Sequence, residues 1–591
     1  MKKTNSAPQP VSPLTTLLSA LTLLGSVGYL IYAMLSSELF GFLMPDAVVV
    51  YLPLATKLLE NPLAILSEPA AVTVAPGSYF YMALAGAEPA RIFILNIVLA
   101  VCSALLIFDL CRRLGGIYAG LAGALLYCTS PLLLHVLIPT LNEPPYLFFT
   151  TLWLWSTVLI GDKQDKLWPV LVAGFALLLS ILTRAIYFYW LFPAVVTCLL
   201  VYVYSKNLDL KKLGIRILAA HLIAAAGAGA YTFYNWQVHD TPMIATGSGG
   251  ALYFGSNPVT LGYEPPYFNM IHDEWMVTDR VNSHLTPHND RRLSFAAKHM
   301  LKDMPTQDLA ELYINKLGAI LFFSQANLKL KVLNQRTFRI VLLLLAGVGV
   351  FYYRKNLIVV MLFCAFLYVT AVHVPAMYNQ RYSIGALDLP LTLLAALGAA
   401  QLLRQRANKK LIGSALLIVL LGITLGSLHQ RYSAPLMPRI DKGITHLALQ
   451  APLENLDYQG FSNNPLIGSA TTLMKTPSIT WKNIPKQKRA GTPIISIDVL
   501  EIDRDCKKVA FTYSDKEHNT WYSSMQLKRP KAPLTLTFGT LHLESIAKDD
   551  SQLDITFKCP ADSTLKLGEV ALYFSQTGLY YNELLPEELK H

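Results

Sequence analysis

Residues 14–35 read LTTLLSALTLLGSVGYLIYAML, an apolar run that contains no charged side chain. A helix of this length crosses the ~30 Å hydrocarbon core of a bilayer, since each residue adds about 1.5 Å. The run is long for a signal peptide and no small-residue cleavage site closes it, so we expect an uncleaved first membrane helix. Further apolar runs lie near 90–110, 117–138, 145–160, 167–183, 186–204, 214–234, 338–353, 357–374, 383–403 and 410–428.

The composition of the whole chain favours a bilayer as its solvent. Hydrophobic residues make up 53% of the 591 residues, charged residues only 15%, and the mean hydropathy is +0.40. A soluble globule of this size needs more polar surface than that. The net charge is +11, but the lysines and arginines lie mostly in short clusters between apolar runs, where they act as cytoplasmic anchors. We therefore expect membrane lipids as partners and no nucleic acid.

Basic clusters set the predicted orientation of about eleven spans. The clusters that fall on one side are Lys2/Lys3, Arg112/Arg113, Lys163/Lys166, Lys206/Lys211/Lys212, Arg354/Lys355 and Arg404/Arg406/Lys409/Lys410. That side is the predicted cytoplasm and holds the N-terminus. Residues 36–89, residues 235–337 and the chain after about 429 then lie on the outer face, where we expect the protein to act. The short cytoplasmic loops favour a multi-pass protein of the bacterial inner (plasma) membrane with a periplasmic tail.

The tail, residues 440–591, changes from long apolar runs to segments of period two. These segments are Pro493–Ile502, Lys508–Tyr513, Thr520–Leu527, Leu534–Leu543, Leu553–Cys559 and Val570–Phe574. They predict an extracytoplasmic β-sandwich of ordinary domain size. Cys506 and Cys559 lie in this tail and are expected to form a disulfide in an oxidising compartment, although two unrelated free thiols stay open as an alternative.

The segment after the first helix holds the first candidate for chemistry. Residues 44–55 read MPDAVVVYLPLA, so Asp46 lies at the outer end of that helix. A carboxylate at the boundary of lipid and water is partly desolvated, which suits the role of a general base. The alternative is that Asp46 only caps the helix that runs through Tyr51 and Ala55.

An Asp just after the first helix, followed by Tyr51 and Ala55, resembles the GT-C superfamily of polyprenyl-phosphate-sugar-dependent glycosyltransferases. The nearest likeness is to its protein-mannosyltransferase-like and lipid A aminoarabinose-transferase-like branch. Other matching pieces, in order, are Asn142-Glu143-Pro144, Leu182-Thr183-Arg184, Ala245–Gly250, Tyr253–Asn257 and Gln380-Arg381-Tyr382. The resemblance covers residues 14–430, which it implies to be a transmembrane GT-C-like catalytic domain with outer loops 36–89 and 235–337.

The resemblance implies transfer of a sugar from a polyprenyl-phosphate carrier to a lipid, glycan or protein acceptor, with inversion. Asp46 would take the acceptor proton in this chemistry. The donor phosphate would be held by Arg381, Arg184 and Lys316, because guanidinium forks pair bidentately with phosphate oxygens. The remaining substrate contacts would be Tyr51, Glu143 and Tyr382.

Two positions depart from the pattern of the family. Relatives often have a second acidic residue directly after the first-loop Asp, whereas this chain has Ala47. No cofactor is therefore predicted, and a divalent metal ion stays open. Relatives often have Lys at the end of the fifth span, whereas this chain has Arg184, which keeps the charge but not the geometry.

Several of these residues also have ordinary explanations. Arg184 and Arg381 lie near span ends, where arginines reach toward headgroups. Glu143 either begins a helix or pairs with a neighbouring cation and contributes to acceptor binding. The stretch Gly247–Gly250 lacks the Lys-Ser/Thr sequel of a phosphate loop.

The loop 235–337 has two further features. His272-Asp273-Glu274, His284 and His288 match no tight zinc spacing. Residues 290–323 show the spacing of a helix that lies on the membrane surface.

Two rival functions remain. A flippase or transporter of lipid-linked sugars would share the basic residues but need no base, although no internal repeat supports it. A noncatalytic envelope-assembly partner would act through the β-domain instead.

Overall fold

The computed structural model describes residues 13–163, 165–256, 277–279, 285–322, 335–377, 380–404, 417, 420–422, 424, 445–484, 492–514, 520–527, 530, 532–539 and 551–590. The chain divides into two compact units. The first contains Met1–Ala245, Thr337–Val369 and Ser383–Thr424, and the second contains Thr246–Arg336, Thr370–Tyr382 and Leu425–His591. These units differ from the predicted domains 1–430 and 440–591, because the second unit also includes most of the loop 235–337. The predicted domain boundary between residues 430 and 440 therefore stays a prediction.

Helices make up most of the described chain up to residue 404. In chain order, the helices are α1 (Pro13–Leu35), α2 (Leu52–Glu60), α3 (Gly77–Leu84), α4 (Pro89–Gly115), α5 (Ile117–Cys128), α6 (Pro131–Leu137), α7 (Glu143–Asp162), α8 (Trp168–Thr183), α9 (Leu191–Tyr204), α10 (Leu208–His239), α11 (Ser248–Ser256), α12 (Pro287–Asp303), α13 (Thr306–Phe322), α14 (Gln335–Tyr353), α15 (Leu357–His373), α16 (Gln380–Arg404), α17 (Thr577–Glu583) and α18 (Glu587–Lys590).

The predicted fold class is confirmed: the chain is mostly helical, with several apolar helices and a C-terminal β-region. Among the described residues, five helices are long and apolar enough to cross a membrane, or six if one bent pair counts as a span. The five are Thr16–Leu35, Pro89–Gly115, Leu208–His239, Gln335–Tyr353 and Ile384–Arg404. The run 410–428 lies mostly outside the described residues, so the count of about eleven spans stays a prediction.

The run 117–138 is not the single straight helix that its hydropathy indicates. It breaks into α5 and α6, which meet at an angle of 58°. Pro131 occupies the first turn of α6, and the Ser130 hydroxyl accepts a hydrogen bond from the Leu133 amide at 3.2 Å. A serine cap followed by proline is a helix-start signal, and it ends α5 locally.

Glycines allow α14 and α16 to approach closely. A Cβ atom on Gly398 would lie 1.9 Å from the Leu345 carbonyl oxygen, and one on Gly349 would lie 2.2 Å from the Leu394 carbonyl oxygen. No side chain fits at either position. Close packing at small residues is a main source of helix association in lipid, where the hydrophobic effect adds little.

In the part of the tail that the structure describes, the strands form two five-stranded antiparallel sheets, both in the second unit. The strands are β1 (Thr445–Gln450), β2 (Leu456–Gln459), β3 (Ala470–Thr471), β4 (Ser478–Ile484), β5 (Thr492–Ile502), β6 (Lys508–Ser514), β7 (Thr520–Gln526), β8 (Leu534–Gly539), β9 (Ser551–Lys558) and β10 (Thr564–Ser575). One sheet has the order β1-β10-β5-β8 with β3 also on β10, and the other has the order β2-β4-β9-β6-β7.

Period-two alternation supplies the core between these sheets. In β6, Val509, Phe511 and Tyr513 are buried while the residues between them are half-buried. Side chains from both sheets join one apolar cluster, which includes Trp481 of one sheet and Ile497 of the other. A disulfide joins Cys506 to Cys559, across a sequence separation of 53.

Candidate active site

Asp46 lies at the start of an unusual helix. Residues Ala47–Tyr51 form a π-helix that continues into α2. Asp46 already has helical backbone angles, and its side chain makes no capping hydrogen bond. The alternative that Asp46 serves only as a cap is therefore not what the structure shows. π-Helical turns are rare and frequently occur at functional sites.

The segment that leads to Asp46 is tied to the segment that leads to Glu143. The Thr140 hydroxyl donates a hydrogen bond to the Phe42 carbonyl oxygen at 3.0 Å. The Asn96 amide donates to the carbonyl oxygens of Ile138 and Pro139, and the Tyr81 hydroxyl donates to the Asn96 side-chain oxygen. Buried polar groups thus hold the chain around residues 138–142 in place.

Glu143 and Arg184 form a buried ion pair. Arg184 Nη1 donates to Glu143 Oε1 at 2.7 Å, and the exposed fractions of the two side chains are 10% for Arg184 and 0% for Glu143. Glu143 is the first residue of α7, while Arg184 follows the last residue of α8 with an extended backbone. Both are near helix ends, as predicted, but the guanidinium points into protein and lies over the Tyr146 ring at 5.6 Å.

A third helix, α16, packs closely against this pair. A Cβ atom on Gly385 of α16 would lie 3.1 Å from Arg184 Nη1 and 3.1 Å from Glu143 Cγ. Even a methyl group would therefore press on both members of the pair. The sequence shows only a glycine inside an apolar run there, so this contact was not predicted.

The start of α3 is attached to the end of α8 beside the pair. The Asn142 amide donates to the Ser78 hydroxyl at 3.1 Å and to the Thr183 carbonyl oxygen at 3.4 Å. Gly77 allows this approach, because a Cβ atom there would lie 2.5 Å from the Thr183 hydroxyl oxygen. The loop 36–89, which contains Asp46 and Tyr51, is thereby fixed to the start of α7 and the end of α8, where Glu143 and Arg184 lie.

The other predicted residues belong to the second unit. Lys316 in α13 is fully buried, and its Nζ donates to the Gly255 carbonyl oxygen at 2.9 Å. Burial lowers the pKa of Lys316 to about 7. Arg381 and Tyr382 are in the first turn of α16, where the Arg381 guanidinium lies over the Tyr382 ring at 5.0 Å.

The glycine-rich stretch binds a carboxylate of the chain itself. Asp290 Oδ1 accepts hydrogen bonds from the amides of Gly247, Gly249 and Gly250 at 3.0, 2.7 and 3.2 Å. Burial raises the pKa of Asp290, and the three amides oppose that shift. No sequence signal connects these residues, which lie 40 to 43 positions apart.

The predicted membrane-surface helix over residues 290–323 is wrong in its first half. The region forms two helices, α12 and α13, and the apolar face of α12 is covered by protein. His272, Asp273, Glu274 and His284 lie outside the described residues. Among the residues that the structure describes, no three His, Cys, Asp or Glu side chains form a metal-binding group.

The structure adds one further buried pair. Arg339 of α14 and Asp388 of α16 are both fully buried and joined by Nη2–Oδ2 at 2.6 Å and Nε–Oδ1 at 2.5 Å. Sequence reasoning missed them. The available signal was a charge in each of two apolar runs, since such charges in spans face protein and find partners.

The family model described as dolichyl-phosphate-mannose-protein mannosyltransferase matches residues 78–229. The predicted resemblance to the protein-mannosyltransferase-like branch is confirmed over these residues. The matched residues include Glu143 and Arg184 but not Asp46. No curated protein sequence matches the chain.

Solved structures of two proteins resemble the chain at low identity. The archaeal oligosaccharyltransferase AglB from Archaeoglobus fulgidus, in complex with an inhibitory peptide and a dolichol-phosphate, is 13% identical over 71% of this chain and 56% of its own, with a TM-score of 0.40. The apo form of the Archaeoglobus fulgidus oligosaccharyltransferase is 12% identical over 71% of this chain and 56% of its own, with a TM-score of 0.43. ArnT from Cupriavidus metallidurans, in the apo state, is 11% identical over 66% of this chain and 77% of its own, with a TM-score of 0.31. The chain thus spans about half the length of the oligosaccharyltransferase.

Proposed function

We propose that the chain is a membrane-embedded glycosyltransferase. It moves a sugar from a polyprenyl-phosphate carrier to a lipid, glycan or protein acceptor at the outer face of a bacterial inner membrane, with its C-terminal domain in the periplasm. The observation that carries the proposal is the place of Asp46, a carboxylate that follows the first apolar helix and stands directly before a π-helix. The family match over residues 78–229 supports the same class of chemistry.

Asp46 is the general base in this proposal. An acceptor hydroxyl attacks the anomeric carbon, the bond from that carbon to the phosphate oxygen breaks, and the carboxylate takes the acceptor proton. The lipid phosphate leaves with the bonding electrons, and a single displacement inverts the anomeric centre. Proton transfer by a positioned side chain typically contributes a factor of about 10² to 10⁴. An acceptor phosphate would need no such base.

The remaining roles are assigned from charge and position. Arg381 and Lys316, which both belong to the second unit, neutralise the donor phosphate. Glu143 contacts the acceptor, and Arg184 holds its carboxylate in place. Tyr51 and Tyr382 line the substrate-binding region. Asp46, Tyr51, Glu143 and Arg184 belong to the first unit, and Lys316, Arg381 and Tyr382 to the second.

The test compares the purified full-length protein with its Asp46→Asn form. Transfer is measured from a panel of radiolabelled polyprenyl-phosphate sugars to total envelope extract. We expect Asp46→Asn to lose transfer while it still binds radiolabelled polyprenyl phosphate. Asp209→Asn is the matched control, because Asp209 is an exposed residue in the first turn of α10.

Two outcomes would overturn the proposal. Lipid translocation into vesicles by both wild type and Asp46→Asn, without transfer, would favour a flippase. Loss of envelope function on deletion of residues 440–591, with Asp46→Asn silent, would favour a noncatalytic partner.

A further inference from the structure

The end of the chain returns from the β-sandwich to the outer-loop helices. After β10, residues Thr577–Glu583 form α17, which packs against α12. The Arg292 guanidinium donates to the Asn582 side-chain oxygen at 2.9 Å, across 290 positions of sequence. The Tyr581 hydroxyl donates to an Asp303 carboxylate oxygen at 3.4 Å. Both ends of α12 are therefore attached to α17.

Tyr581 also completes an apolar cluster. The cluster contains Tyr253 and Phe254 of α11, Val277, and Leu293, Ala296, Ala297 and Met300 of α12. Tyr581 is 3% exposed, whereas its neighbour Tyr580 is 47% exposed. A buried tyrosine ring removes a large apolar area from water. Without it, the apolar face of α12 would lose part of its cover.

Helix α12 in turn holds α11 at its start. The Asp290 carboxylate in the first turn of α12 binds three amides at the start of α11. The approach is close, since a Cβ atom on Gly249 would lie 2.0 Å from the Asp290 carbonyl oxygen. Movement of α12 must therefore move α11 or break these bonds.

Helix α11 contacts Lys316 and the segment that precedes Arg381. Lys316 Nζ donates to the Gly255 carbonyl oxygen at 2.9 Å. The Met377 amide donates to the Ala251 carbonyl oxygen at 2.6 Å, and a Cβ atom on Gly255 would lie 2.3 Å from the Pro375 carbonyl oxygen. Met377 and Pro375 shortly precede Arg381 in sequence. Helix α11 is thus the common contact of the segments that carry Lys316 and Arg381.

We propose that the C-terminal segment Thr577–Lys590 anchors α12, and that Tyr581 and Asn582 are positioning residues for Lys316 and Arg381 through α12 and α11. The β-sandwich then has a defined role, which is to deliver this anchor to the outer loop. The effect on donor binding rests on the proposed function, whereas the anchoring itself does not.

The first experiment measures amide hydrogen exchange in the full-length protein. Tyr581→Ala combined with Asn582→Ala should raise exchange in α11 and α12 by at least tenfold and leave β6 and β9 protected. Tyr581→Phe keeps the ring and removes only the hydrogen bond to Asp303, so exchange in α11 and α12 should rise less than in the double variant. Tyr580→Ala, the same change at the exposed neighbour, should leave exchange unchanged. Unchanged α11 and α12 exchange in the double variant would overturn the anchor.

The second experiment removes residues 576–591 and adds a synthetic peptide of that sequence back. We expect the KM for the polyprenyl-phosphate sugar to rise at least tenfold on truncation, with a smaller change in kcat, and the peptide to restore both KM and protection. A general folding defect would not be reversed by the peptide, so lack of rescue would overturn the proposal. If the peptide restored protection in a protein that transfers no sugar, the result would support the anchoring role of the C-terminal segment and would reject the proposed glycosyltransferase function.

Discussion

Glu143 Oε1 lies 2.7 Å from Arg184 Nη1, and the two residues are 41 positions apart. Each also marks a helix boundary: α7 starts at Glu143 and α8 ends just before Arg184. The pair therefore joins the start of α7 to the end of α8 in a place that water barely reaches. Its two partners depend on each other, because either charge alone would be buried without compensation.

The first prediction concerns this mutual dependence. Arg184→Gln or Glu143→Gln alone should lower the free energy of unfolding by about 3–5 kcal/mol, because breaking a buried pair leaves one charge uncompensated. The double variant should be more stable than the sum of the single changes indicates. Thermal unfolding in detergent is measured for the wild type, the two single variants and the double variant. Additive losses would show that the two side chains act independently.

The second prediction concerns the space beside the pair. Gly385→Ala places a methyl group 3.1 Å from both side chains, so we expect a loss of about 1–3 kcal/mol from overpacking. Gly347→Ala is the matched control, since nothing lies within 4 Å of a Cβ atom there and it is also inside a helix. That change should be neutral or stabilising by up to about 1 kcal/mol. Equal effects at both positions would contradict the contact.

The third prediction uses the β-sandwich disulfide. Its sequence separation of 53 corresponds to about 4 kcal/mol of stabilisation in the chain-entropy model. The paired change Cys506→Ala and Cys559→Ala should therefore raise amide exchange in β6 and β9 while α4 and α10 keep their protection. Cys364→Ala, at an exposed free thiol, should change neither. If β6 and β9 kept their protection from amide exchange in the paired variant, the disulfide would have no stabilising role in the β-sandwich.

The fourth prediction concerns pH and Lys316. Burial lowers its folded-state pKa to about 7, from 10.5. Below pH 7 both folded and unfolded lysine carry the proton, so the cost of burying the charge is fully present. Between about pH 7 and 10 the unfolded state binds more protons, so stability should rise with pH by up to about 1.4 kcal/mol per unit.

Lys316→Met isolates this contribution, because it keeps the length of the side chain and removes the titrating group. The difference in unfolding free energy between wild type and Lys316→Met should shrink or change in favour of wild type from pH 7 to pH 9. A constant difference over that range would mean that Lys316 does not titrate there.

Local patterns predicted much of the architecture. Apolar runs of spanning length predicted helices up to residue 404, because hydropathy and helix length depend only on neighbours in sequence. Period-two segments such as Lys508–Tyr513 predicted strands for the same reason, and β6 occupies Lys508–Ser514. The break at Ser130 and Pro131 was not predicted, although a serine followed by a proline is a local helix-start signal.

The site required contacts that no local pattern contains. The sequence alone established Asp46 after a first apolar helix, a glutamate before two prolines, charged residues inside apolar runs, and an alternating tail with two cysteines. Only the tertiary structure paired Glu143 with Arg184 and Arg339 with Asp388, and only it placed the Asp290 carboxylate on the Gly247–Gly250 amides and Tyr581 on α12. A charge or a polar group can be recognised from its residue type, but its partner depends on which helices pack together and in what register. That choice is made by the summed burial of side chains distant in sequence.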